Sequence, residues 1–411
     1  MLKSNIAWMK KNVPSDLKVW KGMIQDIDWS QVAAKTKLSL QRDKDRITAE
    51  FKEFAAMDTS AKIDWLMNGD RHLGYLYKKD AIAFARREWK GLKSVGYDFV
   101  GWLKIWGGML NMVMKDPMSI MLAVFEYHWF ASYLATPAVV DRSVFGRRGK
   151  LLQADFDMWV AITHWAEDLI ANLIMADAKI GGNQKINKRI IMFDEMTMAQ
   201  MMAGFPNLLG IPYQMIPVFM VSEMDQLTLI PYIDAIESYG LPSDTCPLPT
   251  AECGCAVKDE YPMCGQGFIA SSMPCDGSVM ATSFQDRRFS KFMPSYPLCM
   301  PVRYDDEDTT EMAAADMKDC IHWVEGLTGE TWNWDTYFAT MEKMNECTRL
   351  EMEKWEINKT HYPQLVGSSF ELFRKWNYEM DGGLFPEGLK TQRKICKTMM
   401  ETYEKKLPAY V

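Results

Sequence analysis

The sequence predicts an α/β protein. A parallel sheet with crossover helices is flanked by a large all-helical N-terminal extension and a helical C-terminal segment. Three observations lead there. Between residues 186 and 307, short apolar runs bounded by charges or turn residues alternate with helical stretches, the pattern of a parallel sheet wrapped by helices. Residues 1–185 carry helix start and stop signals and none of the chain's nine cysteines. Residues 308–411 return to helical periodicity. The 411 residues are enough for two or three domains with cores of their own, and the divisions are drawn at 185 and 307.

In the first segment, helices are predicted over about 30–56, 59–68, 75–93, 97–114, 117–134 and 150–179. Asp58-Thr59-Ser60 can cap the second, Asp116-Pro117 sets the start of the fifth, and Gly181-Gly182-Asn183 stops the sixth. Ten of the fifteen tryptophans lie here, up to Trp165. Packing explains them, and docking to a partner is the sharper alternative. The apolar stretch 118–140 is long enough to span a bilayer. It contains Glu126, His128 and Pro137, with Tyr127, Trp129 and Phe130 at its centre rather than its ends. Those residues predict a buried helix and no membrane span.

The middle segment opens on Ile190 to Phe193, an apolar run after Lys188-Arg189 that suits a buried strand. A helix from Thr197 to Met202 follows, then a strand from Leu208 to Pro212. An amphipathic helix is predicted from Asp225 to Tyr239, ended by Gly240. Gly267 to Ser271 reads as a strand with Cys275 just past its end, Ser278 to Phe289 as a helix, and Leu298 to Val302 as a strand. Ligands of such sheets bind beyond the carboxyl ends of the strands, which is where Cys275 falls. The last segment predicts helices over 309–326, 334–359, 368–380 and 386–406.

A net charge of −7 argues against nucleic-acid binding, which needs a basic face. The opening residues, MLKSNIAWMKK, lack the apolar core of an export signal. A cytoplasmic, reducing location is therefore expected, where cysteines serve metal or redox chemistry rather than disulfides.

Five of the nine cysteines fall within thirty residues: Cys246, Cys253, Cys255, Cys264 and Cys275. Thiols gather to hold a soft metal or an iron–sulfur cluster, to form disulfides, or by accident. There is no CxxC and no ferredoxin-type run, and the flanks of Cys253-Gly254-Cys255 fit no zinc ribbon or finger. Ligands of any cluster would therefore be far apart in sequence. Cys246 lies in LPSDTCPLPTAE, read as a Pro-rich loop after a helix. Cys275 lies in SSMPCDGS, between a strand and a helix N-terminus whose amides and dipole favour thiolate. Ordinary buried thiols are the plain alternative.

Further segments add a likeness. In order they are DEMTMAQMMAGFPNLLGIPYQ, LPSDTCPLPTAE, GFIASSMPCDGSVMATSF, YPLCMPVRYD and MKDCIHWVEGLTGETWNWDTYFATMEKMNECTRLEMEKW. Over about 190–360 the chain resembles the iron–sulfur domain of the 2-hydroxyacyl-CoA dehydratase and benzoyl-CoA reductase family. The fold this implies is a Rossmann-like parallel-sheet domain. The resemblance further implies a 4Fe–4S cluster held by three cysteines, a paired homologous subunit and an ATP-hydrolysing iron–sulfur activator. The substrate would be an acyl-CoA thioester, reduced by one electron at its carbonyl. It carries two cluster ligands onto this chain, Cys246 and Cys275. The third comes in the family from a second α/β domain that has no counterpart in this sequence. Another chain could supply it, Cys299, Cys264 or Cys255 could substitute, or the fourth iron position could stay open. Cys299 ranks first, at a predicted strand end.

The family also places polar residues and an acid near the acyl group. Here these fall at Asp194 and Glu195, with Thr197, and at Gln214 beside Tyr213. The family's glutamate corresponds to Gln214, which cannot act as a base, so that role would move to Asp194 or Glu195. Helix capping is the plain reading of that pair. Asp276, Gly277 and Ser278 could orient the cluster or bind a coenzyme A phosphate through helix-terminal amides, or simply cap the helix. Arg287, Arg288 and Arg303 could pair with those phosphates, or carry ordinary surface charge. A non-catalytic scaffold or assembly subunit of the same fold is the competing reading, and a zinc-binding helical protein a third.

Overall fold

The computed structural model describes residues 29–68, 92–134, 149–194, 199–213, 215–219, 221, 226–241, 246–272, 276–289, 293–299, 301, 306–364 and 386–407. The chain divides into two compact units, Met1–Arg46 and Ile47–Val411. The predicted helices over 75–93 and 368–380 lie outside the described residues, apart from the last two residues of the first.

The early helices are α1 (Trp29–Ala56), α2 (Thr59–Asn68), α3 (Leu92–Lys115), α4 (Pro117–Glu126), α5 (Phe130–Leu134) and α6 (Gly149–Ala176). Asp58 accepts a hydrogen bond from the Ala61 amide at 2.8 Å, and Asp116 caps α4 through the Ser119 amide at 3.1 Å. The single buried helix expected over 117–134 is two helices. Tyr127 is extended (φ −117°, ψ 114°), and the chain breaks there to meet Glu260. The Glu260 carboxylate accepts from the His128 amide at 2.8 Å, and its carbonyl accepts from the Trp129 indole at 2.8 Å. Trp129 and Trp165 are buried, whereas Trp102 is exposed on α3. No helix among the described residues is long and apolar enough to cross a membrane.

After the short α7 (Gln184–Asn187) come β1 (Ile190–Phe193), a 3-10 turn at Ala199–Met202, and β2 (Leu209–Pro212). A π-helical turn at Met215–Phe219 and a 3-10 turn at Gln226–Leu229 lead to α8 (Ile230–Glu237). The expected single helix over 225–239 is split because Pro231, in the first turn of α8, has no N–H to continue an earlier one. Next are α9 (Pro247–Val257), β3 (Gly267–Ser271), α10 (Asp276–Phe289), β4 (Ser295–Leu298), α11 (Glu307–Thr328), α12 (Trp334–Asn358) and α13 (Pro386–Glu404). β4 begins three residues before the expected strand. Pro297 sits within it, tolerated because β4 is an edge strand.

Among the described residues the four strands form one all-parallel sheet in the order β2-β1-β3-β4. The chain runs from β1 outward to β2, crosses back over β1 to β3, and continues to β4. The direction of winding therefore reverses between β1 and β3. In open parallel sheets that reversal opens a crevice beyond the carboxyl ends of the strands, where ligands bind. One face of the sheet buries Ile191, Phe193, Ile269 and Leu298 against Cys320, Ile321 and Val324 of α11 and against Trp332.

A buried polar cluster joins the early helices to the approach to β3. Asp177, fully buried, accepts from the Tyr127 hydroxyl at 2.5 Å and from the Met263 amide at 2.8 Å. The Lys179 ammonium, equally buried, donates to Glu126 at 3.0 Å and to the Asp259 carbonyl at 2.7 Å. The acid that argued against a membrane span is thus paired inside the protein.

Candidate functional site

The carboxyl ends of β1 and β3 meet at Asp194. This residue follows the last residue of β1 and is fully buried. Its carboxylate accepts from the Ser271 amide at 2.5 Å, the Ser271 hydroxyl at 3.1 Å and the Thr282 hydroxyl at 3.4 Å. Its own amide donates to the Ile269 carbonyl at 3.1 Å. One side chain therefore ties together both strands at the winding reversal and the helix after β3. Ser271 and Thr282 went unnoticed in the sequence, because nothing local marks either as a partner of an acid about eighty residues away. Glu195 and Gln214 lie outside the described residues.

Cys246 immediately precedes α9. The sequence suggested a Pro-rich loop here, but Pro247 opens the helix and Pro249 sits in its first turn. Proline suits these positions, where the backbone N–H would lack a partner anyway. The Cys246 side chain makes no capping hydrogen bond and is exposed. Gly254 lets α9 lie directly on α8, since a Cβ there would overlap the Tyr232 carbonyl. Ile236, Cys253 and Ala281 form one apolar cluster across α8, α9 and α10. Past its C-terminus, α9 leads to Gly265 and Gln266, whose amides bond Asn187 and Ile190 at the start of β1. Past α10, Pro294 accepts from Phe268 near the start of β3. Both helices thus run from the carboxyl side of the sheet toward its amino side. Their N-termini, at Cys246 and at Asp276, open on the same side as Asp194.

Cys299 follows the end of β4 and is exposed. Its amide donates to Asp316 of α11 at 2.5 Å, and the Tyr296 hydroxyl donates to the same carboxylate at 2.8 Å. Cys275 lies outside the described residues, as do Arg303 and the side chains of Ser278, Arg287 and Arg288; Asp276 is exposed and Gly277 partly buried.

Among the described cysteines, Cys246 and Cys299 are exposed and the other six are buried. Burial pushes the Cys253 thiol up to about 12, with help from the Glu252 charge. It does the same to Cys320, and to Cys396, where Glu353 adds to the effect. Cys264, considered as a substitute ligand, is buried on the amino side of the sheet. Burial, and then the charge of Asp177, hold its thiol well above the ordinary value. Cys255 is buried on α9. Both are buried, in contrast to the exposed Cys246 and Cys299. Among the described residues no three His, Cys, Asp or Glu side chains gather as a metal site.

No curated protein matches the chain. The protein-family model described as 2-hydroxyglutaryl-CoA dehydratase, D-component, matches residues 226–408, a little under half of the sequence. That stretch takes in α8 to α13 and, with them, Cys246, Cys275 and Cys299. Over that stretch the chain is similar to the 2-hydroxyglutaryl-CoA dehydratase D-component family.

Proposed function

We propose that the chain is a subunit of an ATP-activated, 4Fe–4S-dependent enzyme that acts on acyl-CoA thioesters by one-electron reduction. The type is 2-hydroxyacyl-CoA dehydratase or benzoyl-CoA reductase. One observation carries this reading: the family match covers a stretch in which the exposed thiols, Cys246 and Cys299, lie on the carboxyl side of a parallel sheet. The donor set suits the group, because accessible thiolates near helix N-termini are the ligands that such clusters take. In this reading Cys246, Cys275 and Cys299 hold the cluster. When bound, it supplies a single low-potential electron.

The chain's own residues do the remaining work. Asp194, its carboxylate engaged by Ser271 and Thr282, fixes the two strand ends and so the floor of the acyl pocket. That occupation favours Glu195 as the residue that takes or returns a proton. Gln214 orients the acyl group by hydrogen bonding and moves no proton. Asp276, Gly277 and Ser278 open α10, whose first amides suit a phosphate of coenzyme A. A paired homologous subunit and an ATP-hydrolysing iron–sulfur activator complete the system.

Anaerobic purification with iron and sulfide analysis and electron paramagnetic resonance tests this. Roughly four irons per chain with a reducible signal are expected, and Cys275→Ala should abolish the signal. A colourless, folded protein would instead favour the scaffold reading, and zinc without iron a zinc-binding helical protein.

A further inference from the structure

Outside the matched stretch, α3 and α6 enclose a cavity of about 310 Å3 lined in part by Lys104, Asn111, Lys115, His164, Glu167 and Asp168. Glu167 is only 2% exposed, and no described residue donates a hydrogen bond to either of its carboxylate oxygens. The position is built for close approach: a Cβ at Gly108 of α3 would overlap both the Glu167 carboxylate and the His164 ring. The cations around the cavity already have acids. Lys115 pairs with Asp168, Lys104 lies 4.0 Å from Asp157, and His164 Nδ1 lies 3.8 Å from Glu387 of α13. The His164 ring is also 3.0 Å from the Lys104 carbonyl through Nε2. What the lining lacks is a donor for Glu167.

We infer that this cavity binds a small organic cation bearing a primary ammonium, whose N–H groups donate to the Glu167 carboxylate. The volume is at the small end for ligand pockets, so the partner is a short amine rather than a nucleotide. Met112 and the Gly107-Gly108 backbone offer its carbon chain an apolar wall. Nothing in this site depends on the iron–sulfur reading.

Protonation follows from the setting. Burial raises the Glu167 carboxyl to about 8, against the pull of the His164 charge. The charged groups facing it are His164 and Asp168 from α6, Lys104 and Lys115 from α3, and Glu387 from α13. At neutral pH the carboxyl is protonated, so binding an ammonium ionises it and releases a proton.

Titration calorimetry on the full chain with n-butylammonium chloride tests this, run in two buffers of different ionisation enthalpy, with n-butanol and butyrate as controls. Saturable binding with release of close to one proton is expected at pH 7. Affinity should rise about tenfold from pH 7 to pH 9, as the carboxyl goes from roughly a tenth to roughly nine-tenths ionised. Glu167→Gln, which keeps the shape, should weaken binding at least tenfold and abolish proton release. Absence of butylammonium binding, binding unchanged in E167Q, or preferential binding of butyrate overturns the inference.

Discussion

The Asp194 carboxylate accepts the Ser271 amide at 2.5 Å, joining the carboxyl ends of two parallel strands where the winding of the sheet reverses. Removing the acid strands a buried amide and two hydroxyls. Asp194→Ala should cost about 2–4 kcal/mol, and Asp194→Asn less, because an amide oxygen still accepts. Urea denaturation measures both. A change below about 0.5 kcal/mol in the alanine variant would show that the strand ends do not need this tie.

Thiol accessibility separates the cysteines. In metal-free protein under native anaerobic conditions, iodoacetamide should label Cys246 and Cys299 first. Cys253, with its thiol near 12 against an ordinary 9.0, presents about a thousandfold less thiolate at neutral pH. Peptide mass spectrometry should find Cys253, Cys264, Cys320 and Cys396 labelled only after unfolding. Protection of Cys246 and Cys299 on iron loading is the companion expectation.

The buried pair of Lys179 and Glu126 lends itself to a double-mutant cycle. Lys179→Met leaves a buried carboxylate without its cation and should cost about 3–5 kcal/mol. Adding Glu126→Met should restore much of the loss, since no stranded charge remains. Additive losses would mean that the two side chains do not act as a pair.

Gly254→Ala places a methyl group against the Tyr232 carbonyl. Alanine usually favours a helix over glycine, so propensity alone predicts stabilisation of up to about 1 kcal/mol. The overlap predicts the opposite sign, a loss of about 1–3 kcal/mol. Thermal melting decides between them.

Glu167 makes stability depend on pH. Its carboxyl is raised from 4.5 to about 8, so the folded state binds more protons than the unfolded one between those values. Its contribution is full below the lower value and is lost as pH rises through the higher. Unfolding free energy should fall with a slope of at most about 1.4 kcal/mol per pH unit from this group. Glu167→Gln should flatten the profile between pH 5 and 8, and an unchanged slope would refute the assignment.

The sheet was legible because its strands are short apolar runs between charges and turns, and β1, β2 and β3 lie within a residue of where those runs sit. α9 was not legible, since Pro247 and Pro249 suggest a loop until their place in a first helical turn is known. The break at Tyr127 depends on Glu260, more than 130 residues away, and no local pattern reports it. At the candidate site, Cys246 and Cys299 stood out by position in the sequence, but their exposure did not. That contrast needed the packing of α8, α9 and α10, which buries Cys253 within two turns of Cys246. Glu167 drew no notice, because an acid on an amphipathic helix ordinarily faces water.

The knot of Asp177, Lys179 and Glu126 also bears on how this protein can be divided. Its partners, Asp259 and Met263, stand inside the family-matched stretch, while the knot itself comes from upstream. A shortened version starting at β1 would leave the Met263 amide and the Asp259 carbonyl without these partners. The upstream helices and the approach to β3 therefore share one buried hydrogen-bond network, and neither keeps its polar groups satisfied without the other.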